Sequence, residues 1–114
     1  MRTEKEVCEL LREEKNKNGL NSKYYIKLDS RVRSSNVEEN IGKLKSEVYP
    51  DIADNMTNMS NCVSALIYDR ESEEYKNYFD LSYKPFIIEV WERTANVMKL
   101  IYKRNNENED FEEM

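Results

Sequence analysis

Histidine is absent from the 114 residues, and that absence removes more chemistry than any other feature of the chain. Without an imidazole there is no Ser-His or Cys-His nucleophile pair, and no zinc site of the kind that needs one. Glycine is nearly as scarce: Gly19 and Gly42 are the only two, too few for a GxGxxG or Walker-type phosphate loop. With only Pro50 and Pro85 as prolines and no Asn-Gly or Asp-Gly pair, the chain lacks the turn chemistry that an all-β domain would use. Cys8 and Cys62 lie far apart and do not form a structural zinc site by themselves. No apolar run approaches the roughly 18 residues of a membrane span. The opening stretch, MRTEKEVCELLREEKNK, is charged throughout, so the expectation is a cytoplasmic chain without an export signal, both thiols reduced.

What is present favours helices. Charged residues make up 36% of the chain, and Glu, Lys and Leu are abundant where Gly and Pro are not. The net charge of −5 sits at one end: NNENEDFEEM, residues 105–114, carries five acids and no base. The remaining body is neutral, basic early and acidic late. Thirteen asparagines and eight tyrosines among many lysines suggest a coding sequence rich in A and T, as in a low-GC bacterium, its phage or a large DNA virus.

Periodicity then divides the chain. Thr3 and Glu6 form a capping-box pattern, Val7, Leu10 and Leu11 share a face, and Gly19 is placed as a stop, which predicts a helix over 4–17. The segment LNSKYYIKLDSRVRSS reads two ways. As a strand, Tyr24, Ile26 and Leu28 alternate with Tyr25, Lys27 and Asp29; as a helix, Tyr24, Tyr25, Leu28 and Val32 line one side. Helix is preferred, because an isolated strand has no evident partner. Val37, Ile41, Leu44 and Val48 fall at helical spacing, as do Ile52, Met56, Met59, Val63 and Leu66 beyond Pro50. Ser72 caps a short helix carrying Tyr75, Tyr78 and Phe79. In the last segment, from Pro85 to Arg104, Phe86, Ile87, Val90, Trp91, Thr94, Val97, Met98, Ile101 and Tyr102 cover an arc of about 160° on a helical wheel. Ile88, Ala95 and Leu100 widen it toward about 240°. Glu89, Glu92, Asn96, Lys99 and Lys103 fill the stripe left over, with Glu89 four residues before Arg93.

The expected architecture is therefore all-α: a bundle of four to five helices over residues 1–104, followed by a disordered acidic tail, 105–114. An apolar arc wider than a surface helix needs implies a second contact, as in a homodimer or a docked partner. The expected function is a small non-catalytic protein-interaction or regulatory protein, of the kind a phage or virus directs at a host protein. Trp91, Met98, Ile101, Tyr102, Met56 and Met59 are its candidate contact residues. One alternative is a nucleic-acid-binding regulator using Lys23, Tyr24, Lys27, Arg31 and Arg33, the cations meeting phosphates while Tyr24 or Tyr25 stacks on a base. A further idea is that the acidic tail folds over this basic segment and competes with an anionic ligand.

A third possibility rests on carboxylates. Asp51 with Asp54, Glu71 with Glu74 and Glu89 with Glu92 have the i, i+3 spacing that puts two acids on one helix face, and magnesium needs only oxygen ligands. Such pairs on facing helices resemble the acidic cluster of all-helical nucleotide pyrophosphohydrolases, although the last pair ends in Glu92 where that pattern has Asp. The resemblance implies a magnesium-dependent nucleotide phosphohydrolase. The wheel puts these acids on the solvent side, so no catalytic residue, metal or cofactor is expected.

Overall fold

The computed structural model describes residues 1–53, 58–67, 69–78 and 84–114. Its first element forms as its residues dictate. Helix α1 runs Glu4–Asn18, with the Thr3 hydroxyl accepting the Glu6 backbone N–H at 3.2 Å and the Glu6 carboxylate accepting the Thr3 N–H at 3.1 Å. Those bonds to Thr3, the backbone one first, hold the Glu6 carboxyl below its usual range. Gly19 ends the helix at φ 52° and ψ −128°, a backbone state open to glycine. Val7, Cys8 and Leu11 form the buried face.

The rest of the chain overturns the expected bundle. Strands β1 (Tyr24–Asp29), β2 (Ser60–Asn61), β3 (Phe86–Thr94), β4 (Val97–Lys103) and β5 (Glu112–Glu113) make one antiparallel sheet in the order β2-β1-β3-β4-β5. Three helices of one or two turns join them: α2 (Lys45–Val48), α3 (Pro50–Ala53) and α4 (Glu73–Tyr78). The seam expected through Val37 and Ile41 is absent; both are exposed, at 52% and 47%, around a short 3-10 turn. Met56 and Phe79 lie outside the described residues. Ser72 does cap α4, through its hydroxyl to the Tyr75 N–H, and Tyr75 is buried.

The ambiguous basic segment is β1, and its missing partner is the stretch read as the last helix. Tyr24 to Lys27 pair with Glu92 to Glu89, and Leu28 with Ile87. Two bulges explain why β3 and β4 imitate a helix. Ile88 is an extra residue opposite β1, and Ile101 an extra residue opposite β3. A bulge resets the two-residue alternation, so Ile87 and Val90, three apart, both reach the same core. A spacing of three is what a helical wheel rewards. The wide arc has the same origin: strands with apolar residues on both sides fill most of a wheel. Nor does the hairpin between them carry a turn glycine; Ala95 takes its place at φ 53°.

Helix α1 covers one face of the sheet. Val7, Cys8 and Leu11 meet Tyr24 and Ile26 of β1, Val90 of β3, and Cys62, Ile67 and Phe111. The acidic tail, expected to be disordered, completes this core. Phe111 is 0% exposed, and Arg2 and Phe111 exchange backbone hydrogen bonds of 2.9 and 2.7 Å. The tail orders because its acids find bases and its one ring finds a cavity. Glu107 pairs with Arg31, Glu113 with Arg2, and the Arg70 guanidinium donates to the Glu107 carbonyl at 2.9 Å. Among the described residues, no helix is long and apolar enough to cross a membrane.

Candidate nucleic-acid interface

Residues directly opposite in an antiparallel pair share a face. The register therefore sorts the side chains turned away from α1, on what is here called the outer face, into rows. Tyr25, Trp91 and Leu100 form the central row, with Asn61 of β2 beside Tyr25. Toward one end lie Lys27, Glu89 and Lys103; toward the other, Arg93 and Met98. The Arg93 N–H bonds the Lys23 carbonyl at 2.7 Å, which sets Lys23 at the rim of the same end.

Side-chain geometry agrees with that sorting. The indole Nε1 of Trp91 donates to Glu89 Oε1 at 3.0 Å, and the ammonium of Lys27 lies 3.8 Å from the other Glu89 oxygen. These fix the indole against the sheet and leave Lys27 and Glu89 mutually neutral. Arg93 Nη1 donates to the Tyr25 phenol oxygen at 3.3 Å. That bond, with a second from Asn61, holds the Tyr25 phenol below its usual range. The central aromatics are half-buried while Arg93 and Lys103 are exposed. The outer face thus has three cations, Lys27, Arg93 and Lys103, and two acids, Glu89 and the Glu112 of β5 that stands opposite Lys103, around two rings.

At the Arg93 end a groove of about 310 Å³ opens between the turn after α1 and the β3–β4 hairpin. Leu20, Asn21 and Ser22 form one wall, Arg93 and Ala95 the other, with Lys23 and Tyr25 between. Arg93 lines it, whereas the Lys23 ammonium lies 3.6 Å from Glu92 and 5.4 Å from the Tyr24 ring centre, beside residues that do not line the groove. A larger open groove, about 630 Å³, lies where the tail returns past Lys103 and Arg104. Its cations face Glu109, Asp110 and Glu112, and Arg104 is committed to internal bonds, so it is better read as a by-product of tail packing.

The sequence-predicted residues divide. Of the basic set, Lys27 comes to the outer face, only 8% exposed beside Glu89, whereas the Lys23 ammonium lies 3.6 Å from Glu92 and 5.4 Å from the centre of the Tyr24 ring. Tyr24 turns into the core at 7% exposure, and burial pushes its phenol pKa up. Arg31 is held by Glu107, as the idea of a tail folding onto the basic segment required, and Arg33 lies exposed beyond β1. Of the contact set, Trp91 and Met98 are on the outer face, whereas Ile101 and Tyr102 pack against the α1 core. Met59 is half-buried just before β2. Of the two rings offered for stacking it is Tyr25, not Tyr24, that reaches the outer face, as strict alternation along β1 would have indicated; Arg93 and Lys103 were missed as site residues.

The carboxylate pairs do not assemble. On a strand, an odd spacing sends side chains to opposite faces. Glu89 therefore meets Lys27 while Glu92 meets Lys23. Asp54 lies outside the described residues. Among the described residues no three His, Cys, Asp or Glu side chains converge as a metal ligand set. No protein-family model, curated protein or solved structure matches this chain.

Proposed function

We propose that this chain is a small non-catalytic binding protein that holds single-stranded nucleic acid across the outer face of its sheet. The single observation behind the reading is the row Tyr25–Trp91–Leu100 with the exposed cations Arg93 and Lys103 on its two sides. Unpaired bases stack on aromatic side chains, each contact worth about 1–3 kcal/mol, while cations on either side neutralise the phosphates. A duplex keeps its base faces inside the stack and gains nothing from such a surface.

Trp91 is the only tryptophan, so the candidate surface carries its own probe. Titration with a short oligothymidylate or oligouridylate should quench its emission, and affinity should fall as salt rises. If about two phosphates are neutralised, log affinity falls with log salt at a slope of roughly 1.4. Tyr25→Ala and Lys103→Ala should each weaken binding while leaving far-ultraviolet dichroism unchanged. Unaltered Trp91 emission and unchanged anisotropy of labelled DNA and RNA at low salt would remove the proposal.

A protein partner remains the second reading, on different ground. The wide apolar helix that suggested a dimer is a strand pair, so no overwide helix face calls for a partner. What favours a partner is the outer edge of β4. Among the described residues β5 pairs only with Tyr102 and Lys103, leaving the edge from Val97 to Leu100 open, with Val97 65% exposed. An extended segment of another chain would add there as a further strand. Sedimentation of the purified protein tests the self-associating form of this reading, since a monomer at high concentration rules it out.

A further inference from the structure

The open edge of β4 is bounded in a way that selects its occupant. We infer that a second copy of this chain pairs there, β4 against β4 in antiparallel register with Met98 opposite its own counterpart, so that two sheets become one. The inference rests on the open-edge reading above, not on the nucleic-acid one, and adds the occupant and its register.

The edge is both unpaired and apolar. Among the described residues β5 reaches Tyr102 and Lys103, and the Met114 N–H takes the Ile101 carbonyl at 3.0 Å, so pairing stops short of Leu100. Val97 and Met114, two of the exposed large apolar side chains, stand at the two ends of the gap. A lysine on an edge strand is a usual guard against such pairing. Here Lys99 stands directly opposite Glu92 of β3, which offsets its charge.

Self-pairing is then limited to one register. A two-fold axis normal to the sheet sets outer-face residues opposite outer-face residues, so it must pass beside a single residue of the edge. Centred on Lys99, it would put two ammonium groups face to face and set Val97 against Ile101, whose carbonyl is taken. Centred on Leu100, it would set Met98 against Tyr102, already paired with Glu113. Centred on Val97, it would draw in Ala95, which at φ 53° belongs to the turn. Met98 is left. About it, the exposed Val97 of each copy lies under the aliphatic stem of the other copy's Lys99. On the outer face Arg93, Met98 and their two counterparts make one straight row. So short an edge makes a small interface, and the pair is weak at low concentration.

Cysteine cross-linking tests the register even where association is weak. Met98→Cys places two thiols directly opposite, with Cα atoms within about 6 Å, inside disulfide range, whereas Leu100→Cys leaves them about 14 Å apart. Mild oxidation should link Met98→Cys into a covalent dimer about tenfold faster than Leu100→Cys. The native chain, whose Cys8 and Cys62 are buried, should not be linked. In sedimentation, Met98→Lys and Met98→Glu should each be shifted to monomer relative to the native chain, and their equimolar mixture should restore a one-to-one dimer. Circular dichroism checks that each variant is folded. Equal linking of the two cysteine variants, linking in neither, or a charged pair that stays monomeric when mixed overturns the self-pairing. Those outcomes leave the edge free for a different chain. That reading fails separately, if every amide of residues 97–100 in the monomer is protected from hydrogen exchange.

Discussion

The guanidinium of Arg104 lies over the ring of Phe111, 4.3 Å from its centre, and so joins the end of β4 to the acidic tail. Arg104 is 4% exposed and also donates to the Ile87 carbonyl at 2.7 Å and to Glu4 Oε1 at 2.9 Å. One buried cation thereby ties α1, β3 and the tail to each other.

Removal of the ring should therefore be felt throughout the fold. Phe111→Ala deletes a fully buried aromatic side chain and is expected to cost about 3–5 kcal/mol in urea unfolding. Limited proteolysis of the variant should cut first within residues 105–114. A loss under about 1 kcal/mol would mean that the tail is peripheral to the core.

Glu4 takes two guanidinium groups, from Arg104 and from Arg70, each at 2.9 Å. The Arg104 side chain is 1% exposed, so Glu4→Ala strands a buried charge, whereas the acid itself is 22% exposed and partly solvated. The expected cost is about 3 kcal/mol, at the lower end for removing one member of a buried pair. Arg70→Ala should cost less, since its pair with Glu4 is more open.

Backbone geometry predicts opposite outcomes at two turns. Gly19 adopts φ 52° with ψ −128°, and nothing lies within 4 Å of where a Cβ would stand. Gly19→Ala should therefore destabilise purely through the backbone, by about 1–3 kcal/mol. Ala95 sits at φ 53° in the β3–β4 hairpin, where glycine is more comfortable. Ala95→Gly should raise stability by about 0.5–1 kcal/mol, relief of the strained turn exceeding the added freedom of the unfolded chain. Thermal unfolding of both variants checks the signs.

Burial pushes the Cys8 thiol up from an ordinary value of 9.0 to about 12. The folded state therefore holds a proton that the unfolded state releases above pH 9. Stability from this group is complete below pH 9 and is lost as pH rises toward 12, at a limiting slope of about 1.4 kcal/mol per unit. Cys8→Ala should be less stable at neutral pH, but its deficit should narrow steadily above pH 9. In the native protein at pH 8, iodoacetamide should leave Cys8 unmodified until urea unfolds the chain.

Glu89 stands between Lys27 and Lys103 in one outer-face row, with Glu112 of β5 beyond Lys103. If an anionic strand binds there, Glu89→Gln removes a repulsive charge and frees Lys27, and affinity should increase about threefold to tenfold at low salt, close to 1 kcal/mol. An unchanged or weaker affinity would place the ligand elsewhere.

Local signals were legible in the chain alone. The capping box of Thr3 and Glu6, the stop at Gly19 and the Ser72 cap all appear in the structure, because each depends on residues within a turn of one another. Absence of histidine and of a phosphate-binding glycine loop likewise needed no coordinates. The sheet was hidden. Its two bulges give β3 a three-residue apolar spacing, its hairpin turns at Ala95 rather than at glycine, and β1 finds its partner some sixty residues away. The run of Ile87, Ile88, Val90, Trp91, Val97 and Ile101 was the available clue, since β-branched and aromatic residues favour strands. The wheel overrode it. The candidate site was half legible for the same reason: Lys27 and Trp91 were singled out separately, and only strand pairing shows that they share a face.

Composition and short-range pattern by themselves determined a chain with one well-capped helix, charge gathered at its end, and no imidazole chemistry. Pairing across long separations decided the rest: an antiparallel sheet, an ordered tail around Phe111, and an aromatic strip between cations. Hydrogen-bond registers between distant segments are chosen by the free energy of the whole packed arrangement, which no local window contains.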